Sequence, residues 1–200
     1  MFQRVKGETV SKRSRITVVG AGYVGMSTSV LLARQNDVTI FDCDKMKIEQ
    51  IKNKNSPVLD PDIDIFMKDE DLSLTATNDP EKAYETAEYV IIATPTDYDF
   101  KTSKFDTSSV ELVIEQAKSF NTSSIIIIKS TVPVGYTFFL QKKFSTNKIF
   151  FVPEFLREGS ALKDNLYPSR IIIGGPQELA GNFGKLLEDS TIEKLKKAIY

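Results

Sequence analysis

The chain has 200 residues, 41% hydrophobic and 26% charged, with a formal net charge of −1 and no histidine. That length suits one α/β domain, the near-neutral charge offers no general attraction to nucleic acid or an anionic membrane, and no apolar run reaches the roughly 20 residues that span a bilayer. Without histidine, His-based acid–base catalysis, His metal ligation and a Ser-His-Asp triad are excluded within these residues, and the single cysteine, Cys43, allows no intrachain disulfide.

The chain opens on a basic arm, residues 1–14, that carries no apolar secretory core, so a cytoplasmic protein is expected. From residue 15 apolar runs alternate with helix-period segments. Strands are predicted at 15–20, 37–42, 72–76, 87–95, 123–131, 148–153 and 169–175, and helices near 23–35, 44–53, 61–68, 80–86, 108–119, 135–144 and 176–198. Several of the strands are almost pure Val, Ile or Phe, the pattern of parallel strands buried on both faces. The alternation predicts a single α/β domain over 15–200: a Rossmann-like doubly wound, mostly parallel sheet with helices on both faces. The long helical pattern runs to the last residue with no stop signal and no further strand, which is expected of a chain cut within its architecture; a natural C-terminal helix fits the same residues.

The first strand leads into GAGYVG (20–25), which opens the first helix. Gly20 can make the tight turn, Gly22 can let backbone approach a pyrophosphate, and Gly25 can allow close helix–strand packing, with the helix N-terminus facing phosphate. The second strand ends on Asp42, 17 residues after Gly25. A carboxylate there can accept from adenosine ribose hydroxyls and would repel a 2′-phosphate, which favours NAD over NADP. Asp44 competes for that role, and Lys47 lies one helical turn on. Cys43, at the adenosine end and far from any nicotinamide, is expected to be a small buried or half-buried residue.

Three more loops leave the carboxyl ends of strands, where open α/β sheets bind ligands. ATPTDYD (93–99) offers Thr94 and Thr96; KSTVPVG (129–135) offers Ser130 and Thr131, with Pro133 and Gly135 breaking the strand; and VPEFLREGSALKDNLYPSR (152–170) carries Glu154, Arg157 and Glu158. The two glutamates are four apart and would face one way on a helical turn, with Arg157 as a neutralising neighbour or phosphate ligand. An exposed charged turn fits the same spacing.

Taken in order, VVGAGYVG, VIIATPTDYD, IIIIKSTVPVG and PEFLREGSALKDNLYPSRIIIG resemble the UDP-glucose/GDP-mannose dehydrogenase family over roughly residues 15–175, and its UDP-glucose branch more than the others. The resemblance implies NAD-dependent oxidation of the C6 alcohol of UDP-glucose to a carboxylate, with two NAD consumed and a catalytic cysteine holding thiohemiacetal and thioester intermediates. It implies that Gly20, Gly22, Tyr23, Val24, Gly25, Asp42, Lys47, Thr96 and Thr131 contact NAD, and that Glu154, Phe155, Leu156 and Glu158 line the sugar-nucleotide site. Glu158 would activate the hydrolytic water beside the nicotinamide, with Thr131 helping to hold it. The family's GGxCLPKD-like cysteine motif, its central dimerisation helix and its second Rossmann-like domain are not among these residues. The resemblance therefore implies a chain that does not complete the reaction alone, and a homodimer for the intact protein. A GDP-mannose-type enzyme and a non-catalytic NAD-binding module remain as alternatives.

Overall fold

The structure, a computed structural model, describes residues 13–69, 71–101 and 103–192. Most of the expected basic arm and residues 193–198 of the expected last helix lie outside the described residues. In chain order the elements are β1 (Arg15–Val19), α1 (Tyr23–Ala33), β2 (Asp37–Phe41), α2 (Lys45–Lys52), α3 (Pro61–Phe66), β3 (Leu74–Thr77), α4 (Pro80–Tyr84) and β4 (Tyr89–Ile92). They continue with β5 (Tyr98–Asp99), β6 (Lys104–Phe105), α5 (Ser108–Phe120), β7 (Ile125–Ile128), α6 (Tyr136–Lys143), β8 (Ile149–Phe151), α7 (Ala161–Leu166) and α8 (Gln177–Ser190).

Six strands form one sheet in the order β3-β2-β1-β4-β7-β8, and every pairing within it is parallel. The chain winds outward from β1 in one direction, returns, and winds outward in the other. The order therefore reverses between β1 and β4, which opens a crevice at their carboxyl ends. Strand residues divide strictly by parity. Val18, Ile91 and Ile127 pack with α1, α7 and α8 on one face, while Val19, Val90, Ile92, Ile126 and Ile128 pack with α4 and α5 on the other. Both faces are covered, so both parities must be apolar, and this is why runs such as Ile125–Ile128 show no alternation.

Short-range chemistry sets the helix starts. Asp44, Asp60 and Asp79 cap α2, α3 and α4 through backbone N–H groups, and Pro61 and Pro80 occupy first-turn positions whose N–H has no helical partner. Asp60 does more. It is 1% exposed, and its second oxygen accepts from Leu162 N–H at 3.1 Å, which ties α3 to the start of α7. Asn165 donates to the Ser27 hydroxyl at 3.0 Å and fixes the same short helix against α1.

Three features depart from the expectation. The predicted strand 169–175 forms no extended ladder; Ile172 and Gly174 are isolated bridge residues, and Gly174 pairs antiparallel with Phe151. Pro168 and Pro176 bound the run, and at Gly175 a Cβ would stand 2.5 Å from the Phe150 Cβ, so the run meets β8 closely without forming a ladder along it. Residues 98–105, read as loop, carry the small hairpin β5–β6, with Tyr98 opposite Phe105. Residues 161–166, read as part of a loop, form α7. Among the described residues no helix is long and apolar enough to cross a membrane.

Candidate functional site

The glycine turn sits at the crevice. Gly20 has φ +105, donates its N–H to Phe41 O at 2.8 Å, and a Cβ there would stand 2.6 Å from Ala93 O. At Gly25 a Cβ would stand 1.7 Å from Gly20 O, so α1 can seat its first turn on the strand end only because that atom is missing. Gly22 differs from both: nothing lies within 4 Å of its absent Cβ. Its backbone faces open space as the N-cap of α1, where no side chain caps the helix. An uncapped N-terminus of an 11-residue helix presents free N–H groups and a positive dipole end, which suit a pyrophosphate.

Asp42, at the end of β2, accepts from Ala21 N–H at 2.7 Å and from Asp44 N–H at 2.9 Å. One carboxylate thus holds the glycine turn and the entry to α2 together. Asp44 is committed elsewhere, accepting from Met46 and Lys47 N–H as the α2 cap, so the two acidic residues divide their work. Asp42 stands at the rim of a cavity of about 240 Å³ walled by Val19, Phe41, Pro95, Leu112 and Val113. Cys43 lines the same cavity and is exposed, contrary to the buried or half-buried expectation, because it follows the strand end in an open turn. The α5 residues Leu112, Val113 and Gln116 escape sequence reasoning, since their helix carries no motif. Lys47 lines neither this cavity nor the neighbouring cleft among the described residues.

That neighbouring cleft, of about 330 Å³, gathers Gly22, Tyr23 and Val24 from the glycine turn, Thr94, Pro95 and Thr96 after β4, and Lys129, Ser130 and Thr131 after β7. Glu154 and Glu158 close it from the segment after β8. Two hydrogen bonds sew the middle loops together: Thr96 Oγ1 to Thr131 O at 2.7 Å and Ser130 Oγ to Thr94 O at 2.7 Å. Thr94 Oγ1 pairs with Ser109 Oγ at 3.0 Å. Thr96 and Ser130 thus spend their hydroxyl protons on the scaffold and keep oxygen lone pairs as acceptors.

Residues 154–157 are not helical, so the expected shared helix face of Glu154 and Glu158 does not form; the two meet in one cleft by a different route. Arg157 explains the extended path. Its backbone N–H and its Nε both donate to Asp164 Oδ2, at 2.9 and 3.1 Å, and its Nη2 reaches Oδ1 at 2.7 Å, which draws the segment over α7. The pairing holds the Asp164 carboxyl below the usual carboxylate range, and the Arg157 side chain remains 76% exposed. Gly159, at φ +78, then turns the chain into α7. Leu156 is half-buried, and Phe155 is exposed with the Arg170 guanidinium 4.2 Å above its ring.

Lys129, which lines the cleft, also escapes sequence reasoning. It is 8% exposed, and burial pushes its ammonium down to about 8, an effect that the charge of Glu154 opposes. Burial likewise raises Glu154, with Lys129 acting against it, and Glu154 Oε2 is buried without a hydrogen-bond partner among the described residues. A lysine ending a run of four isoleucines is the only signal that could have pointed to it.

The reversal of strand order, the glycine turn and the acidic residue ending β2 define a dinucleotide-binding domain of the Rossmann class. Residues 14–190 match the UDP-glucose/GDP-mannose dehydrogenase family, NAD binding domain. The chain is 49% identical over 160 residues to the UDP-glucose 6-dehydrogenase of Streptococcus pneumoniae, covering 80% of this chain and 41% of that one. It is 44% identical over 185 residues to the Campylobacter jejuni enzyme of the same name, covering 92% and 46%. A UDP-glucose dehydrogenase structure from Pyrobaculum islandicum superposes with a TM-score of 0.81 at 25% identity, covering 94% of this chain and 46% of that one. The chain belongs to the UDP-glucose/GDP-mannose dehydrogenase family and carries its NAD-binding domain; it spans less than half the length of these relatives.

Proposed function

We propose that this chain supplies the cofactor half of a UDP-glucose 6-dehydrogenase, which oxidises UDP-glucose to UDP-glucuronate at the expense of two NAD. The observation that carries the reading is the convergence of glycine turn, threonine loops and paired glutamates on one cleft, in a chain 49% identical to an enzyme of that name. NAD, when bound, supplies the hydride acceptor. Gly22, Tyr23, Val24 and Gly25 would cradle its pyrophosphate with backbone N–H groups on the turn that Gly20 makes, and Asp42 would accept from the adenosine ribose, with Lys47 beyond it. The cavity walled by Phe41, Leu112 and Val113 suits an adenine ring. Oxygen atoms of Thr94, Thr96, Ser130 and Thr131 would orient the nicotinamide half.

In this reading Glu154, Phe155, Leu156 and Glu158 line the sugar-nucleotide site. Arg157 serves it through Asp164, by setting the path of that segment. Glu158, exposed at the cleft, would take the proton of the water that releases the product, with Thr131 holding that water in place. The nucleophilic cysteine of the family's motif would come from outside these 200 residues, since Cys43 lies at the adenosine cavity. The reading carries with it a cytoplasmic enzyme and a homodimer for the intact protein.

Calorimetric titration with NAD, NADP and UDP-glucose tests the first half: NAD should bind, NADP far more weakly, and UDP-glucose weakly or not at all. Joining the chain to the C-terminal half of the Streptococcus pneumoniae relative tests the second. NADH should form with UDP-glucose but not with GDP-mannose, and the unjoined chain should form none. Tighter binding of NADP, turnover of GDP-mannose, or NADH formation by the chain alone would each overturn the corresponding part.

A further inference from the structure

β7 and β8 are parallel neighbours, with Ile128 opposite Phe151. Lys129 therefore leaves its strand beside Val152, and Glu154 follows two residues later on the next strand's exit. Between the large cleft and a smaller cavity of about 50 Å³ beneath it, Lys129 and Glu154 are the two residues that line both, so together they form the partition. The Lys129 backbone N–H donates to Ile92 O at 2.8 Å, its side chain has no hydrogen bond or ion pair within 4 Å among the described residues, and Glu154 Oε2 is buried and unpartnered. A buried lysine and a largely buried glutamate thus stand at one boundary, each within the electrostatic reach of the other.

We propose that Lys129 is a positioning residue: its buried ammonium, acting through Glu154, holds that carboxylate ionised and turned toward the cleft that Thr131 and Glu158 share. Two opposite charges taken from water offset part of each other's desolvation, and removing one leaves the other uncompensated. The remaining charged and titratable groups do not supply the missing positive charge. Glu158, from the same segment, is acidic, and Tyr23 on α1 offers a phenol and no cation. Arg170, across the smaller cavity, is stacked on Phe155, and Arg157 is forked onto Asp164. Lys129 is thus the cation whose charge works against the burial of Glu154. What Glu154 then does rests on the proposed function; its ionisation does not.

The test is a ¹³C NMR titration of the glutamate carboxyl carbons in this chain, with Glu154 assigned by its loss in Glu154→Gln. Lys129→Met should raise the Glu154 midpoint by roughly one pH unit or more. Lys129→Arg, which is permanently charged, should keep it near the wild-type value. An unmoved midpoint in Lys129→Met overturns the proposal, as does an Arg variant that behaves like Met. Should Lys129→Met fail to fold, the reciprocal measurement decides: in Glu154→Gln the Lys129 side-chain titration should move to lower pH, and no movement refutes the coupling. NAD titration of the unaltered chain runs alongside. Failure to bind NAD with the coupling intact would sink the proposed function and leave this inference standing.

Discussion

Replacing Asp42 separates what the carboxylate does for the fold from what it does for the ligand. Its two oxygens accept from Ala21 N–H at 2.7 Å and Asp44 N–H at 2.9 Å, so Asp42→Ala removes two charge-assisted hydrogen bonds. Such bonds contribute about 1.5–3 kcal/mol each; the residue is half-buried, which places these at the lower end, for about 3 kcal/mol in total. Part of that loss appears as lower stability. The rest appears as a glycine turn that is correctly formed in only a fraction of molecules, and apparent affinity falls by that fraction. Adding the lost ribose contact, NAD affinity should fall about 10- to 100-fold, or about 1.4–2.8 kcal/mol. Asp42→Asn keeps one acceptor and removes the charge. It should cost less NAD affinity and narrow the preference over NADP, because a carboxylate near a 2′-phosphate is repelled by a few kcal/mol at an effective dielectric constant of about 20. Calorimetry with both cofactors on both variants, at fixed salt, provides the measurement. An Asp42→Ala chain that binds NAD like wild type, or an Asn variant that excludes NADP as well as wild type does, would refute the reasoning.

Gly22 and Gly25 should part company when each is changed to Ala. Gly22→Ala meets nothing in the protein and should melt like wild type while losing NAD binding by tenfold or more, roughly, whereas Gly25→Ala drives a Cβ into Gly20 O and should lose about 1–3 kcal/mol of stability along with binding. Asp60→Ala strands the N–H groups of Asp62, Ile63 and Leu162, for about 3 kcal/mol or about 6–12 °C in Tm by calorimetric scan; an unchanged Tm would mean that the α3–α7 tie carries no energy. Lys129 titrates near 8 in the folded chain against 10.5 ordinarily, so between those values the unfolded chain holds a proton that the folded chain has lost. Stability attributable to Lys129 should therefore be lowest and flat below pH 8 and rise by up to about 3 kcal/mol toward pH 10.5, read as the difference in urea unfolding between wild type and Lys129→Met.

What is legible in the sequence is whatever a residue's own neighbourhood dictates. The uniform apolar strands announce a sheet covered on both sides, and the six parallel strands follow. The glycine spacing announces a backbone that must pass close to itself, and the clash distances at Gly20 and Gly25 are the physical content of that pattern. Asp42 and Asp44 are indistinguishable by spacing, because an N-cap and a ribose-facing carboxylate are both acidic residues beside a helix start; the hydrogen bonds divide them. The misses arise from long-range partners. The run 169–175 has a strand's composition but lacks a partner strand of its length, and α7 is six residues whose first turn is held by Asp60, 102 positions away from Leu162.

Lys129 shows the same division most sharply. Nothing beside it in the sequence says that a lysine will be buried; the adjoining isoleucines say only that a strand is ending. The residues that share its cavities, Val152, Pro153 and Glu154, leave β8, and Arg157 and Asp164, 28 and 35 positions later in the chain than Lys129, are bonded just beyond them. The charge that balances it, Glu154, was legible as a candidate ligand residue from its own loop. The pairing of the two was not, because it exists only once β7 and β8 lie side by side. A cleft of this kind therefore discloses its backbone cradle to sequence reading first, since sterics are local, and its electrostatic control last, since each buried charge takes its state from a partner that the sheet brings to it.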